Sequence, residues 1–287
     1  MKPRTPLPCG LIEIHFAVLL FGLAGLFGKW LSLPPWCIVL GRTGFAAIVL
    51  LVVMIGLREK PPTNLKTMGA FSLLGLLLAI HWIAFFQSIQ VSTVAVGLLA
   101  FSTFPVFITV LEPWWFKEKR RWVDLATSFI VVAGLGTMVY PSSFGGRVFS
   151  GALWGTFAGF SFALLSLLNR QWVQHCAPVV IAFYQNLFAF VVLLPMAIGS
   201  SFSIEAREMG LLLVLGVFCT ALSHFLFIRG LVTIRAQLAS IIAGLEPVYG
   251  ILFAYFLLGE RPSAHTLVGG ALILAATMVA TMAREKE

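Results

Sequence analysis

Apolar residues fill this chain in long unbroken runs, and polar residues collect in short clusters between them. Runs such as Phe45 to Ile55 do not alternate apolar and polar positions, as the strands of a membrane barrel would. Each run approaches the roughly 20 residues that a helix needs to cross a bilayer. Turn-forming and charged breaks separate them at Pro34-Pro35, Arg58 to Pro62, Lys117 to Arg121, Pro141 to Ser143 and Glu260 to Pro262. The pattern predicts ten helices, near 11–31, 35–57, 65–87, 93–114, 122–140, 149–169, 177–198, 208–229, 236–258 and 264–282. Lipid gives backbone N–H and C=O groups no partner, so helices are the expected spanning element.

Composition agrees. The chain is 60% apolar and 10% charged, against about 45–50% and about 25% in soluble domains. Its 19 basic and 11 acidic residues are too few to cover a soluble surface of 287 residues. The net charge is +8. With the N-terminus in the cytoplasm, fourteen basic residues fall on the inner side, while Lys29, Arg147, Arg207 and Arg261 fall outside and Arg42 lies within the second span. That asymmetry is the positive-inside signal of a multi-pass protein of a bacterial inner membrane, with both termini cytoplasmic. The charge therefore faces anionic membrane lipid, not nucleic acid. The basic start precedes an apolar run too long for a cleaved leader and without an A-x-A site, so it reads as the first helix.

Chemistry-bearing motifs are few. Cys9, Cys37, Cys176 and Cys219 form no C-x-x-C pair and read as packing thiols. The five histidines are dispersed, which argues against a metal site. The sequence contains no G-x-S-x-G, H-E-x-x-H or phosphate-binding loop, so neither an enzyme, a cofactor nor ATP-driven pumping is expected.

The second half repeats the first. At an offset of 142, Pro105 falls on Pro247, Val106 on Val248, Phe107 on Tyr249 and Glu118 on Glu260. At an offset of 143, Arg42-Thr43-Gly44-Phe45 falls on Gln185-Asn186-Leu187-Phe188. The expected fold is thus an all-α membrane protein, ten transmembrane helices in two inverted five-helix repeats, 1–143 and 144–287, acting as one unit. An odd number of spans per half turns the second half upside down. Such repeats place a site at the bilayer midplane between them.

Particular stretches carry a resemblance. Gly22-Leu-Ala-Gly-Leu-Phe-Gly-Lys29 and Arg42-Thr-Gly-Phe-Ala46 resemble the first two helices of the EamA branch of the drug/metabolite transporter superfamily. Leu245-Glu-Pro-Val-Tyr-Gly250, followed by Leu258-Gly-Glu260, is similar to that family's closing signature. In the first half Thr103-Phe104-Pro105 and Lys117-Glu118 depart from it. The resemblance implies a secondary transporter, an exporter of a small metabolite such as an amino acid, working by alternating access. Import or facilitated passage of another small solute (a nucleoside, organic cation or sugar) is the alternative. A membrane-embedded lipid-modifying or accessory protein is the remaining one. A monomer or weak dimer is expected.

Polar residues at membrane depth are the candidate site, because a charge at the bilayer centre costs at least ~2.5–3.5 kcal/mol. Glu246 and Arg42 lie near the centres of the ninth and second spans, as a structural ion pair or as substrate contacts. Gln185, Asn186 and Thr103 sit at the centres of their spans, and His81 and His224 nearer the ends. Each of these also has a reading as an interhelical hydrogen bond or packed residue. A zwitterion would need Arg42 for its carboxylate and Glu246 for its ammonium, with Trp82, Phe85 and Tyr249 bounding its apolar part. Glu246 is also the candidate carrier of a coupling proton. Pro105 and Pro247 are expected to kink their helices. Glu13, His15 and Glu112 fall near inner helix ends and are expected to be wet. Cysteines introduced at Ser143 and Arg120 test the orientation: an impermeant outside reagent should label the first and spare the second.

Overall fold

The computed structural model describes residues 7–62, 64–116, 122–140, 145–172, 175–198, 204–230 and 242–283. The expected loops at Lys117–Arg121 and 141–143, and the first residues of the 236–258 span, lie outside them. All regular structure among the described residues is helical. In chain order these are α1 (Leu7–Ala24), α2 (Phe27–Trp30), α3 (Pro35–Gly56), α4 (Leu65–Val91), α5 (Val94–Phe101), α6 (Phe104–Phe116) and α7 (Trp122–Val139). Then follow α8 (Arg147–Trp172), α9 (Pro178–Ile198), α10 (Ala206–Gly216), a π-helix (Val217–Leu222), α11 (Ser223–Gly230), α12 (Glu246–Leu258) and α13 (Ala264–Ala283). Six stretches among them are long and apolar enough to cross a membrane, and four shorter apolar helices accompany these.

Helix boundaries follow local chemistry. Pro35 opens α3 in the first turn, where no amide hydrogen is needed. Asn64 caps α4 by accepting from the Lys66 amide at 2.9 Å, and Thr93 caps α5 through the Val96 amide at 3.2 Å. Pro105 and Pro247, expected to kink their helices, stand at interruptions of helical structure. Each lies in the first turn of a new helix, after a two-residue turn at Ser102-Thr103 and at Gly244-Leu245 respectively. Lacking an amide hydrogen and crowding the carbonyl four residues back, proline suits a helix start better than a bend within one.

Gly259 ends α12 in the left-handed region at φ 66°, where a Cβ would be strained. That turn delivers Glu260 to the start of α5, where its carboxylate accepts from the Val94 amide at 2.9 Å. Beside it, Lys29 Nζ donates to the Ser92 carbonyl at 2.7 Å and Arg147 Nε to the Val91 carbonyl at 3.2 Å. The cations thus sit on the carbonyl end of α4 and the carboxylate on the amide end of α5, as both helix dipoles favour. Toward the other end, Arg229 of α11 donates to Glu13 of α1 at 2.9 Å. Glu13 is buried, which corrects the expectation that it is wet, whereas His15 is exposed as expected. The side chain of Glu112 is outside the described residues.

α8 packs most extensively on α4, α7 on α13, and α9 on both α3 and α4. In the first of these seams Gly151, Gly155 and Gly159 recur every fourth residue of α8 and meet α4, α5 and the α5–α6 turn. A Cβ on Gly155 would stand 2.6 Å from Ala100 Cβ, and one on Gly159 2.9 Å from the Phe101 carbonyl oxygen. Ser88 Oγ donates across the same seam to the Gly151 carbonyl at 2.6 Å. Gly155→Leu should therefore destabilise the protein by about 1–3 kcal/mol or more through overpacking. Lowered thermal stability and a polydisperse size-exclusion profile in detergent are the readouts; an unchanged melting curve would contradict this packing.

Candidate functional site

The site is built around one cation. Arg42 sits in the middle of α3 with 0% exposure, and it is the largest fully buried side chain among the described residues. Two elements enclose it, α4 and the π-helix. Trp82 of α4 lies flat against the guanidinium, with Cζ 3.5 Å from the ring centroid. Phe86, one turn on, stands 5.5 Å away. Desolvated cation–π contact of this kind is worth about 2 kcal/mol. From the π-helix, Thr220 Oγ1 accepts from Arg42 Nε at 3.1 Å and from Nη2 at 2.9 Å. The Cys219 carbonyl is 3.5 Å from Nη2.

Glycine allows the π-helix to reach so close. Gly216 immediately precedes it, and a Cβ there would stand 2.6 Å from Phe45 Cβ and 2.8 Å from the Arg42 carbonyl oxygen. Aromatic packing fixes the other wall. Trp82 and Phe85 meet edge-on at 5.2 Å, and His81, Phe101 and Phe162 continue the cluster. His81 Nδ1 lies 2.9 Å from the Ala158 carbonyl of α8, so this histidine ties α4 to α8.

Arg42 and Glu246 do not form the ion pair considered from sequence, since no contact between them falls within 4.0 Å. Thr220 and the two rings hold Arg42 instead. Glu246 begins α12, where the helix amide end favours a carboxylate. His224 leans on Phe21 of α1 at 5.6 Å between ring centroids.

Other sequence candidates fall elsewhere. Thr103 is buried in the α5–α6 turn, its hydroxyl bonded to the Ala100 carbonyl at 2.7 Å. Gln185 bonds Asn169 of α8. Asn186 donates to its own helix at Ala182, 2.9 Å away. Tyr249 packs with Ile14, Val18 and Ile242, its hydroxyl 3.5 Å from His15 Nδ1. Besides Glu13 Oε2, in the bridge to Arg229, three buried side-chain polar atoms have no hydrogen-bond partner among the described residues: Arg42 Nη1, Trp82 Nε1 and Asn186 Oδ1. Two are donors on stacked groups and one is an acceptor. Sequence reading missed Phe86, Cys219, Thr220 and Asn169. Periodicity gives a single threonine in an apolar span no special mark, and no residue pattern announced a π-helix.

No cluster of His, Cys, Asp and Glu able to hold a metal occurs among the described residues. Because Glu246 is not the partner of Arg42, adding Glu246→Ala should not rescue Arg42→Ala. Folded yield from size exclusion should be as low in the double variant as in Arg42→Ala alone, and recovery of yield would restore the ion pair.

Comparison with known proteins follows this geometry. A solved crystal structure matches 96% of this chain and 98% of its own, with a TM-score of 0.66 at 17% identity, which shows the fold. The S-adenosylmethionine uptake transporter of Rickettsia conorii is 25% identical over 249 residues, covering 85% of this chain and 82% of that protein. The biotin transporter of Escherichia coli is 24% identical over 263 residues, covering 88% and 86%. The EamA-like transporter family model matches residues 9–140 and again 149–282. With the apolar helices and the enclosed polar interior, these matches identify the chain as a multi-pass membrane protein and a small-molecule transporter, not an enzyme, and it belongs to the EamA-like transporter family.

Proposed function

We propose that the protein takes up a small metabolite bearing a carboxylate, which it binds at Arg42 and passes across the membrane by alternating access. The observation that carries this reading is the Nη1 nitrogen of Arg42: buried, on a positive group, and without a hydrogen-bond partner. A carboxylate is the natural acceptor for a guanidinium N–H. Trp82 Nε1 offers a second donor to the same anion, and Asn186 Oδ1 an acceptor for an amide or amine of the cargo. Phe85 and Phe86 bound the apolar part. His81, Thr103 and Gln185, engaged with other groups of the protein, take a supporting role beside the substrate contacts assigned above.

The named relatives favour import over the amino-acid export expected from the family resemblance. The Rickettsia proteins are called uptake transporters. S-adenosylmethionine and biotin differ in most respects but share a carboxylate. The architecture that goes with this reading is ten spans in two inverted five-helix repeats, 1–143 and 144–287, in a bacterial inner membrane with both termini cytoplasmic. Interrupted helices at Pro105 and Pro247, 142 residues apart, support the repeat. Access to Arg42 requires the two halves to part. The Glu13–Arg229 bridge would open at one end, and the Arg147–Val91 and Glu260–Val94 bonds at the other. We assign the coupling proton to Glu246.

Uptake of radiolabelled biotin and S-adenosylmethionine into proteoliposomes tests the reading, with the methyl esters as competitors. The wild type should accumulate at least one of the acids and be inhibited poorly by its ester. Arg42→Met should weaken binding by roughly tenfold or more, the value of a hydrogen bond to a charged group. Equal uptake of acid by Arg42→Met would remove Arg42 from recognition. Glu246→Gln should abolish accumulation driven by a pH gradient and leave gradient-free exchange intact; gradient-driven accumulation in that variant would free Glu246 of the proton.

A further inference from the structure

The structure assigns to Thr220 and its π-helix the positioning of the Arg42 guanidinium, so that Nη1, and not another of its nitrogens, faces the anionic group of the cargo. This rests on the reading of Arg42 given above.

The guanidinium is a planar fork with five N–H donors. Stacking on Trp82 at 3.5 Å fixes the plane of that fork. It leaves rotation within the plane free, because a ring face offers no directional acceptor. The edge formed by Nε and Nη2 is what Thr220 engages, both nitrogens donating to a single oxygen at 3.1 and 2.9 Å. Once that edge is held, Nη1 is the nitrogen that remains, and it is the one that is buried and without a hydrogen-bond partner.

A threonine hydroxyl has one hydrogen and two lone pairs. Thr220 donates its hydrogen to the Leu215 carbonyl, five residues back, at 2.8 Å. Both lone pairs are then available to Arg42, and the hydroxyl cannot turn its hydrogen toward the cation. The five-residue reach is a property of the π-helix Val217–Leu222, in which the acceptor lies at i−5 rather than i−4. Thr220 is itself 0% exposed, so no solvent competes for its oxygen. Cys219, its neighbour on the same turn, presents its carbonyl to Nη2 at 3.5 Å and closes that side. Stacking, the fork-to-oxygen contact and the orientation of the hydroxyl all leave the same nitrogen facing the cargo. A threonine serving its own helix alone would need the Leu215 bond and nothing more.

Thr220→Val keeps the shape and removes the acceptor, Thr220→Cys keeps the size with a weak acceptor, and Thr220→Ser keeps the hydroxyl. Purified variants are assayed in detergent for binding of radiolabelled biotin and S-adenosylmethionine, whichever the wild type takes up, each against its methyl ester. In proteoliposomes, KM and maximal rate of uptake are measured separately. Thr220→Val and Thr220→Cys should bind the acid roughly tenfold more weakly, while affinity for the ester changes little and Thr220→Ser stays near wild type. KM should rise and the maximal rate per folded molecule should hold, whereas a purely structural role would lower folded yield and leave KM unmoved. If Thr220→Val does not fold, the Cys and Ser variants carry the comparison alone. Should the wild type bind neither acid, the carboxylate reading falls and this inference with it. Wild-type acid binding that depends on Arg42 but is matched by Thr220→Cys and Thr220→Val overturns the role of Thr220 alone.

Discussion

A positive charge sealed inside an apolar protein is the constraint around which this structure is arranged. Arg42 is wholly enclosed, and an isolated charge in such a place is costly enough to be excluded from most membrane helices. The protein offsets that cost with groups that are themselves buried: two aromatic faces from α4, one threonine oxygen and one carbonyl from the π-helix. None of these carries a formal charge. A neutral cradle leaves the positive charge uncancelled, so an anion gains more there than it would beside a guanidinium already paired with a carboxylate. The same neutrality explains how the protein holds the cation without a cargo: stacking and dipoles satisfy part of its donor set and leave the rest.

The surrounding frame keeps these elements in register. Glycine positions on α8 and Gly216 at the end of α10 bring backbones close enough that small displacements meet hard contacts. Against this rigid packing stand the interruptions at Ser102-Thr103 and Gly244-Leu245, where backbone bonds shorten to three residues and proline opens the next helix. The stiff parts position chemistry, and the broken parts are where half-helices can change angle without unravelling. The cross-links near the helix ends involve Glu13 with Arg229, and Lys29 and Glu260 with backbone groups. They are polar, few and partly exposed, and so easier to exchange for water than the core contacts are.

Much of this was legible in the sequence, for reasons that can be named. Helix positions follow from run length and from proline and glycine punctuation. The importance of Arg42 follows from the cost of placing it in lipid. What escaped was pairing. Glu246 looked like the partner of Arg42 because opposite charges at membrane depth invite it, yet aromatic rings and a hydroxyl do that work. Proline marked where the helices are interrupted, but sequence shows the missing amide and not which side of it the helix resumes. Glu13 was taken as wet from its place near a helix end, before Arg229, 216 residues away in sequence, was known to lie against it. Gln185, Thr103 and His81 were recognised as polar at depth, but their closest partners, Asn169, Ala100 and Ala158, are set by helix packing.

The π-helix makes the length of the chain matter as well as its composition over residues 217–222. A π turn holds one residue more than the α turn it replaces. Deleting one residue before Thr220 would let the segment relax to regular α geometry. An α turn with one residue fewer spans the same arc, so everything after it would keep its face: His224 would stay against Phe21 and Arg229 against Glu13. The loss would be local, in the five-residue reach from Thr220 to the Leu215 carbonyl and in the oxygen that this bond keeps turned toward Arg42.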